Sequence, residues 1–83
     1  MGLDVVELIM TIEEHYDLRI SDDEARTMRS VGDLHGYILI HARPVPESRA
    51  VWEWLQIMLE RDFGVPKERI TPDASVVRDL GID

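Results

Sequence analysis

No cysteine occurs among the 83 residues, which excludes a disulfide scaffold and cysteine-ligated zinc as sources of stability. Positive charge is also scarce. Nine Lys and Arg stand against seventeen Asp and Glu, for a formal charge of −8, so the summed field repels phosphate backbones and anionic lipid and argues against nucleic acid as a partner. Basic-surfaced proteins are the natural complement. Long apolar runs are missing too: stretches such as Tyr37 to Ile40 fall far short of the ~20 residues a membrane span needs, and no basic segment leads into a signal-like apolar region. The expectation is a soluble, cytoplasmic protein without a membrane partner. A glycine-rich phosphate loop is absent as well. What remains is one small domain held by packing alone, burying roughly 60% of its unfolded surface and offering no large active-site cavity.

The charge is uneven. Residues 1–42 hold nine acids and three bases, whereas residues 43–83 hold eight and six. Between the two stretches lies Arg43-Pro44-Val45-Pro46-Glu47, where two prolines remove backbone donors and keep their predecessors out of helical geometry. This short linker reaches about 17 Å at ~3.3 Å per residue, enough to join neighbouring antiparallel helices but not independent domains.

Apolar spacing predicts four helical pieces and no sheet. Val5, Leu8, Ile9, Ile12 and Tyr16 recur at threes and fours over Leu3 to Asp17. Ser21-Asp22-Asp23-Glu24 has capping-box spacing and opens one or two turns carrying Ala25 and Met28. Ser30 caps a third piece with Leu34, Tyr37, Ile38 and His41, weakened by Gly36 and ended by Pro44. The fourth, from about Ser48 to Asp62, places Val51, Trp52, Leu55, Met58, Leu59 and Phe63 inward, with Gly64 as a left-handed cap. Trp54 and Ile57 form a second stripe on that helix, which either packs internally or makes a homodimer interface. Residues 65–83, with Pro66, Pro72 and Gly81 among scattered aliphatics, read as an ordered loop pinned by apolar contacts.

Chemistry-bearing clusters are thin. His15, His35 and His41 include no pair at the four-residue spacing of a helical zinc motif, so no metal site is expected. His15 reads as an exposed neighbour of Glu14, and His41 as a partly covered helix-end residue suited to the C-terminal dipole. Glu13 and Glu14 are adjacent and diverge around a helix, so they do not converge on a substrate, and no catalytic set is expected.

The order of the pieces carries a resemblance. Leu3-Asp4-Val5-Val6-Glu7-Leu8-Ile9-Met10, Ile12-Glu13-Glu14 and Ser30-Val31-Gly32-Asp33 with Tyr37-Ile38 resemble the acyl carrier protein family from its second helix to its fourth. Trp54 to Phe63, Gly64-Val65, Ala74-Ser75-Val76-Val77 and Asp79-Leu80-Gly81-Ile82-Asp83 resemble that family's first helix and the loop after it. Read from Asp83 into Gly2, the text becomes Asp-Leu-Gly-Ile-Asp-Gly-Leu-Asp-Val-Val-Glu with the family spacing intact, Met1 standing as an initiator. The chain thus looks circularly permuted. The resemblance implies a small all-α, acyl-carrier-like helical bundle in the order of family helices 2, 3, 4, then 1: residues 1–42 for the first three, 43–47 as linker, and 48–83 for family helix 1 with its loop.

The resemblance also implies a non-enzymatic protein of fatty-acid or polyketide-type acyl metabolism, with 4′-phosphopantetheine as the family cofactor. The serine that takes this group is replaced by Gly2, between Asp83 and Leu3 in the permuted reading, and glycine has no nucleophile. A serine following Asp83 in a longer gene would restore the attachment dipeptide. Asp4, Val6, Glu7, Met10, Glu13 and Glu14 match the family helix that meets basic patches on synthases, transferases, including the phosphopantetheinyl transferase, and reductases. Two alternatives stand beside carriage: an interaction or regulatory module without cargo, and a structural homodimer formed by swapping the last helix across the linker.

Overall fold

The computed structural model describes residues 2–83; Met1, read above as an initiator, lies outside them. Local sequence signals set most helix ends. Helix α1 (Leu3–Tyr16) stops at Asp17, which adopts a left-handed conformation with φ 53°. Helix α2 (Asp22–Thr27) opens with the expected capping box: the Glu24 N–H donates to Ser21 Oγ at 3.1 Å, and the Ser21 N–H donates to Glu24 Oε1 at 3.1 Å. Helix α3 (Val31–His41) repeats the device with Ser30 and Asp33, again at 3.1 Å in both directions. Helix α4 (Ser48–Phe63) ends on Gly64 at φ 67°, the left-handed cap that a residue without Cβ adopts freely.

These four helices bury one core. Leu8 and Ile12 of α1, Val31, Leu34 and Ile38 of α3, and Val51, Leu55, Met58 and Leu59 of α4 are each 1% exposed or less. Tight packing follows from the predicted stripes, and α3 and α4 are close neighbours in the same chain. The Arg43 to Glu47 linker therefore returns α4 onto its own bundle. Two readings of α3 shift in detail: Tyr37 is half-buried and His41 exposed, while Val31 joins Leu34 and Ile38 inside.

Trp54 packs internally. Its ring stacks on His15 at 4.3 Å and meets Tyr16 edge-on at 5.2 Å, so the second stripe of α4 is partly spent on the end of α1. Ile57 of the same stripe remains 58% exposed. A hydrogen bond joins α3 to α4, from the His35 ring to the Ser48 carbonyl at 2.8 Å, and Trp52 sits edge-on to His35 at 5.7 Å.

Residues 65–83 contain no strand or α-helix, only the 3₁₀ turn Lys67–Arg69, which apolar periodicity does not foretell. Val65, Ile70, Ala74, Val76 and Ile82 are buried as plugs. Backbone bonds tie the segment down: the Val31 N–H donates to the Ala74 carbonyl, Gly32 to Pro72 at 2.8 Å, and Val76 to the Arg29 carbonyl at 2.9 Å. Ser30 and Ser75 form an isolated antiparallel bridge at the same place. The segment is thus clamped onto the α2–α3 corner.

The two ends of the described chain meet. The Asp4 N–H donates to the backbone oxygen of Asp83 at 2.8 Å, and the Val6 N–H to the Gly2 carbonyl at 3.2 Å. Gly2 itself supplies no side-chain cap. Asp83 satisfies one of the free amides of the α1 N-terminus that a capping side chain would otherwise meet.

Candidate functional site

The predicted docking helix is α1, and its faces are unequal. Leu8, Ile9 and Ile12 point into the core, leaving Leu3, Val6 and Met10 at 74%, 38% and 50% exposure. Exposed Asp4, Glu7 and Glu14 accompany them. Apolar contact area interleaved with carboxylates is what a basic, amphipathic partner surface would cover: the charges orient the encounter and the aliphatics supply desolvated contact.

Glu13 differs from the others. It is half-buried, and its Oε2 accepts the Ile20 N–H at 2.8 Å, fixing the α1–α2 connection. The structure therefore places Asp4, Val6, Glu7, Met10 and Glu14 open to solvent, and Glu13 at the inner edge.

The acidic surface extends beyond α1. A shallow hollow of about 280 Å³ lies between α1 and the end of α4, lined by Glu7, Met10, Thr11, Glu14, Asp62 and Phe63. Asp62 and Phe63 were not foreseen as site residues, because adjacency of the α1 and α4 ends is a tertiary fact. Leu3 was legible: it continues the Val6 and Met10 stripe by one helical step.

Neighbouring carboxyls in α2 and α3 are structural anions. The Ser21 N–H, then the Tyr37 hydroxyl, hold the Glu24 carboxyl below its usual range. Asp33 is lowered chiefly by the Ser30 N–H, against an opposing desolvation, with Arg29 adding a second donor. Burial, reinforced by Glu24, raises Tyr37. Among the described residues no cluster of three or more His, Asp or Glu is placed to hold a metal ion.

The serines are spoken for. Ser21 and Ser30 are caps, the Ser75 Oγ accepts the Arg78 N–H at 3.1 Å, and the Ser48 Oγ lies 3.2 Å from the His35 ring. That ring nitrogen also meets the Ser48 carbonyl at 2.8 Å, which requires it to donate and so leaves it unable to act as a base. At Gly2, a Cβ would overlap the backbone carbon and oxygen of Asp83.

Comparison with known proteins gives one consistent likeness. The chain is 51% identical over 40 residues to the acyl carrier protein of Clostridium acetobutylicum, a match covering 48% of this chain and 52% of that protein. The acyl carrier protein of Chlamydia trachomatis serovar L2 gives the same identity and coverage. That of Chlamydia felis is 53% identical over 37 residues, covering 45% and 47%. The chain thus spans about half the length of the curated relatives it matches. No family model and no solved structure matches.

Proposed function

We propose that this protein is an acyl-carrier-like docking module of fatty-acid or polyketide-type acyl metabolism, non-enzymatic, working in the cytoplasm, and engaging basic-surfaced acyl-processing enzymes through α1. One observation carries the reading: Leu3, Val6 and Met10 lie exposed among Asp4, Glu7 and Glu14 on a helix whose other side is fully used by the core. The likeness to proteins named acyl carrier proteins supplies the partner class. Glu13 belongs to the surface as its inner rim, holding Ile20 while the outer carboxylates meet the partner.

The permuted order is part of this proposal. The residues resembling family helices 2 to 4 occupy 1–42, those resembling family helix 1 and its loop occupy 48–83, and contact of Asp83 with the start of α1 supports joining them in that sense.

The residues present do not fit covalent 4′-phosphopantetheine. Gly2 has no hydroxyl, its Cβ direction is filled by Asp83, and the four serines have other partners. The module accordingly docks without that cargo. Intact mass after incubation with coenzyme A and a broad-specificity phosphopantetheinyl transferase is expected to stay unchanged; a gain of one phosphopantetheine would overturn the cargo-free reading.

Docking is tested by titration against a ketoacyl synthase and against the same transferase. Glu7→Lys and Met10→Ala are each expected to weaken binding about tenfold, with the fold intact by circular dichroism, and added salt to weaken the parent further. Binding indifferent to both substitutions and to salt would sink the proposal.

A further inference from the structure

The chain holds four methionines, and the fold places Met10, Met28 and Met58 in three different settings. Met58 is sealed in the core at 0% exposure. Met28 is half-buried and packs against that core. Met10 stands 50% open on α1, continuing the exposed stripe of Leu3 and Val6, with exposed Glu7 and Glu14 one helical turn away on either side. The most accessible described thioether of the molecule thus sits within its docking surface.

A thioether sulfur is soft and nucleophilic and has no proton to lose, so access decides how fast it is oxidised. With hydrogen peroxide, a sulfur lone pair attacks one oxygen, the S–O bond forms as the O–O bond breaks, and the proton of the transferred hydroxyl leaves with the departing hydroxide as water. Sulfur is oxidised and peroxide reduced, and the product is methionine sulfoxide. An apolar contact atom becomes a polar one with a strong acceptor. Around Met10 that acceptor meets no free donor: Glu7 and Glu14 only accept while ionised, and the Thr11 hydroxyl already donates to the Glu7 carbonyl at 2.8 Å. The sulfoxide therefore depends on water, and a partner that covers α1 has to strip that water away. Since Met10 lies outside the core, its oxidation leaves the bundle intact.

We propose that Met10 is a reversible oxidation site through which peroxide turns docking off, an inference that rests on the reading of α1 as the docking helix.

The test treats the full chain with dilute hydrogen peroxide, removes the oxidant with catalase and follows each methionine by peptide mass mapping. Met10 is expected to oxidise ahead of Met28 by several-fold, and Met58 only on unfolding. Chain oxidised at Met10 is then titrated against the ketoacyl synthase. Its affinity is expected to fall at least about tenfold, with circular dichroism and melting temperature unchanged. Treatment with both epimer-specific methionine sulfoxide reductases and a thiol reductant is expected to restore it. Met10→Leu removes the sulfur and keeps an apolar side chain; its affinity is expected to be the same before and after peroxide, which separates Met10 from oxidation at Met1. Oxidation of Met28 as fast as Met10, full affinity of the oxidised chain, a loss that the reductases do not reverse, or an equal loss in peroxide-treated Met10→Leu would each overturn the assignment. Failure of the untreated parent to bind would bring down the docking reading and the switch together, a result distinct from binding that oxidation leaves unchanged.

Discussion

Residues 3–63 and residues 65–83 are held in opposite ways. In the helical part, order is made locally: Ser21 with Glu24, Ser30 with Asp33, and Gly64 after Phe63 settle where elements begin and end within three or four residues. In the last nineteen residues order is borrowed: Ala74, Pro72 and Val76 bond to Val31, Gly32 and Arg29, forty or more positions away, and five buried side chains plug into a core that others built. A segment without regular structure is thus tied to the bundle once its polar backbone finds distant partners. Its order is conditional on the rest of the molecule.

The strongest way to break this comparison is to remove a plug from each part. Leu55→Ala in α4 and Ile70→Ala in the clamped segment are each expected to lower unfolding free energy by about 2–4 kcal/mol in urea titrations, because both side chains are buried in the same cluster. A loss below about 0.5 kcal/mol for Ile70→Ala would show the segment to be a covering and not part of the cooperative unit.

A pair of glycines in α3 sharpens the contrast. A Cβ at Gly32 would lie 2.7 Å from the Pro72 carbonyl oxygen, whereas one at Gly36 meets nothing within 4 Å. Gly32→Ala is expected to lose about 1–2 kcal/mol by forcing the clamp open, against its gain in helix propensity. Gly36→Ala is expected to gain roughly 0.5–1 kcal/mol in thermal unfolding. Equal signs at the two positions would mean that Pro72 yields freely.

The smallest effect concerns the local devices. Ser30→Ala is expected to remove about 1 kcal/mol. Since the folded Asp33 carboxyl sits below its ordinary value, its contribution is complete above the unfolded value of about 4 and is lost as pH falls through the folded one. Glu24 follows the same sign. Asp33→Asn is therefore expected to be less stable at neutral pH and to lose less on acidification than the parent, read from unfolding midpoints at pH 7 and pH 3.

This division also explains what was legible beforehand. The caps at Ser21, Ser30 and Gly64, the core stripes and the linker were readable because each depends on residues a few positions apart. Residues 65–83 were readable as an ordered loop from their scattered aliphatics, but the clamp at Ser30 and Ser75 was not, since no local pattern says which distant amide meets which carbonyl. Of the proposed docking surface, the α1 residues could be named, while the hollow that Asp62 and Phe63 line beside them came only with the fold. The role of Glu13 was hidden for the same reason: its partner, the Ile20 N–H, lies across a turn whose shape rests on a left-handed Asp17.

The pairing of Trp54 with His15 and of Trp52 with His35 gives α4 two indoles whose surroundings report on different neighbours. Each contributes its own emission, set by the rings around it. Replacing one indole at a time by phenylalanine turns the protein into a fluorescent gauge, with Trp54 alone reading the hold of α1 and Trp52 alone reading the hold of α3. Partner encounter at one end of the bundle and loosening at the other can then be watched by light, without a label.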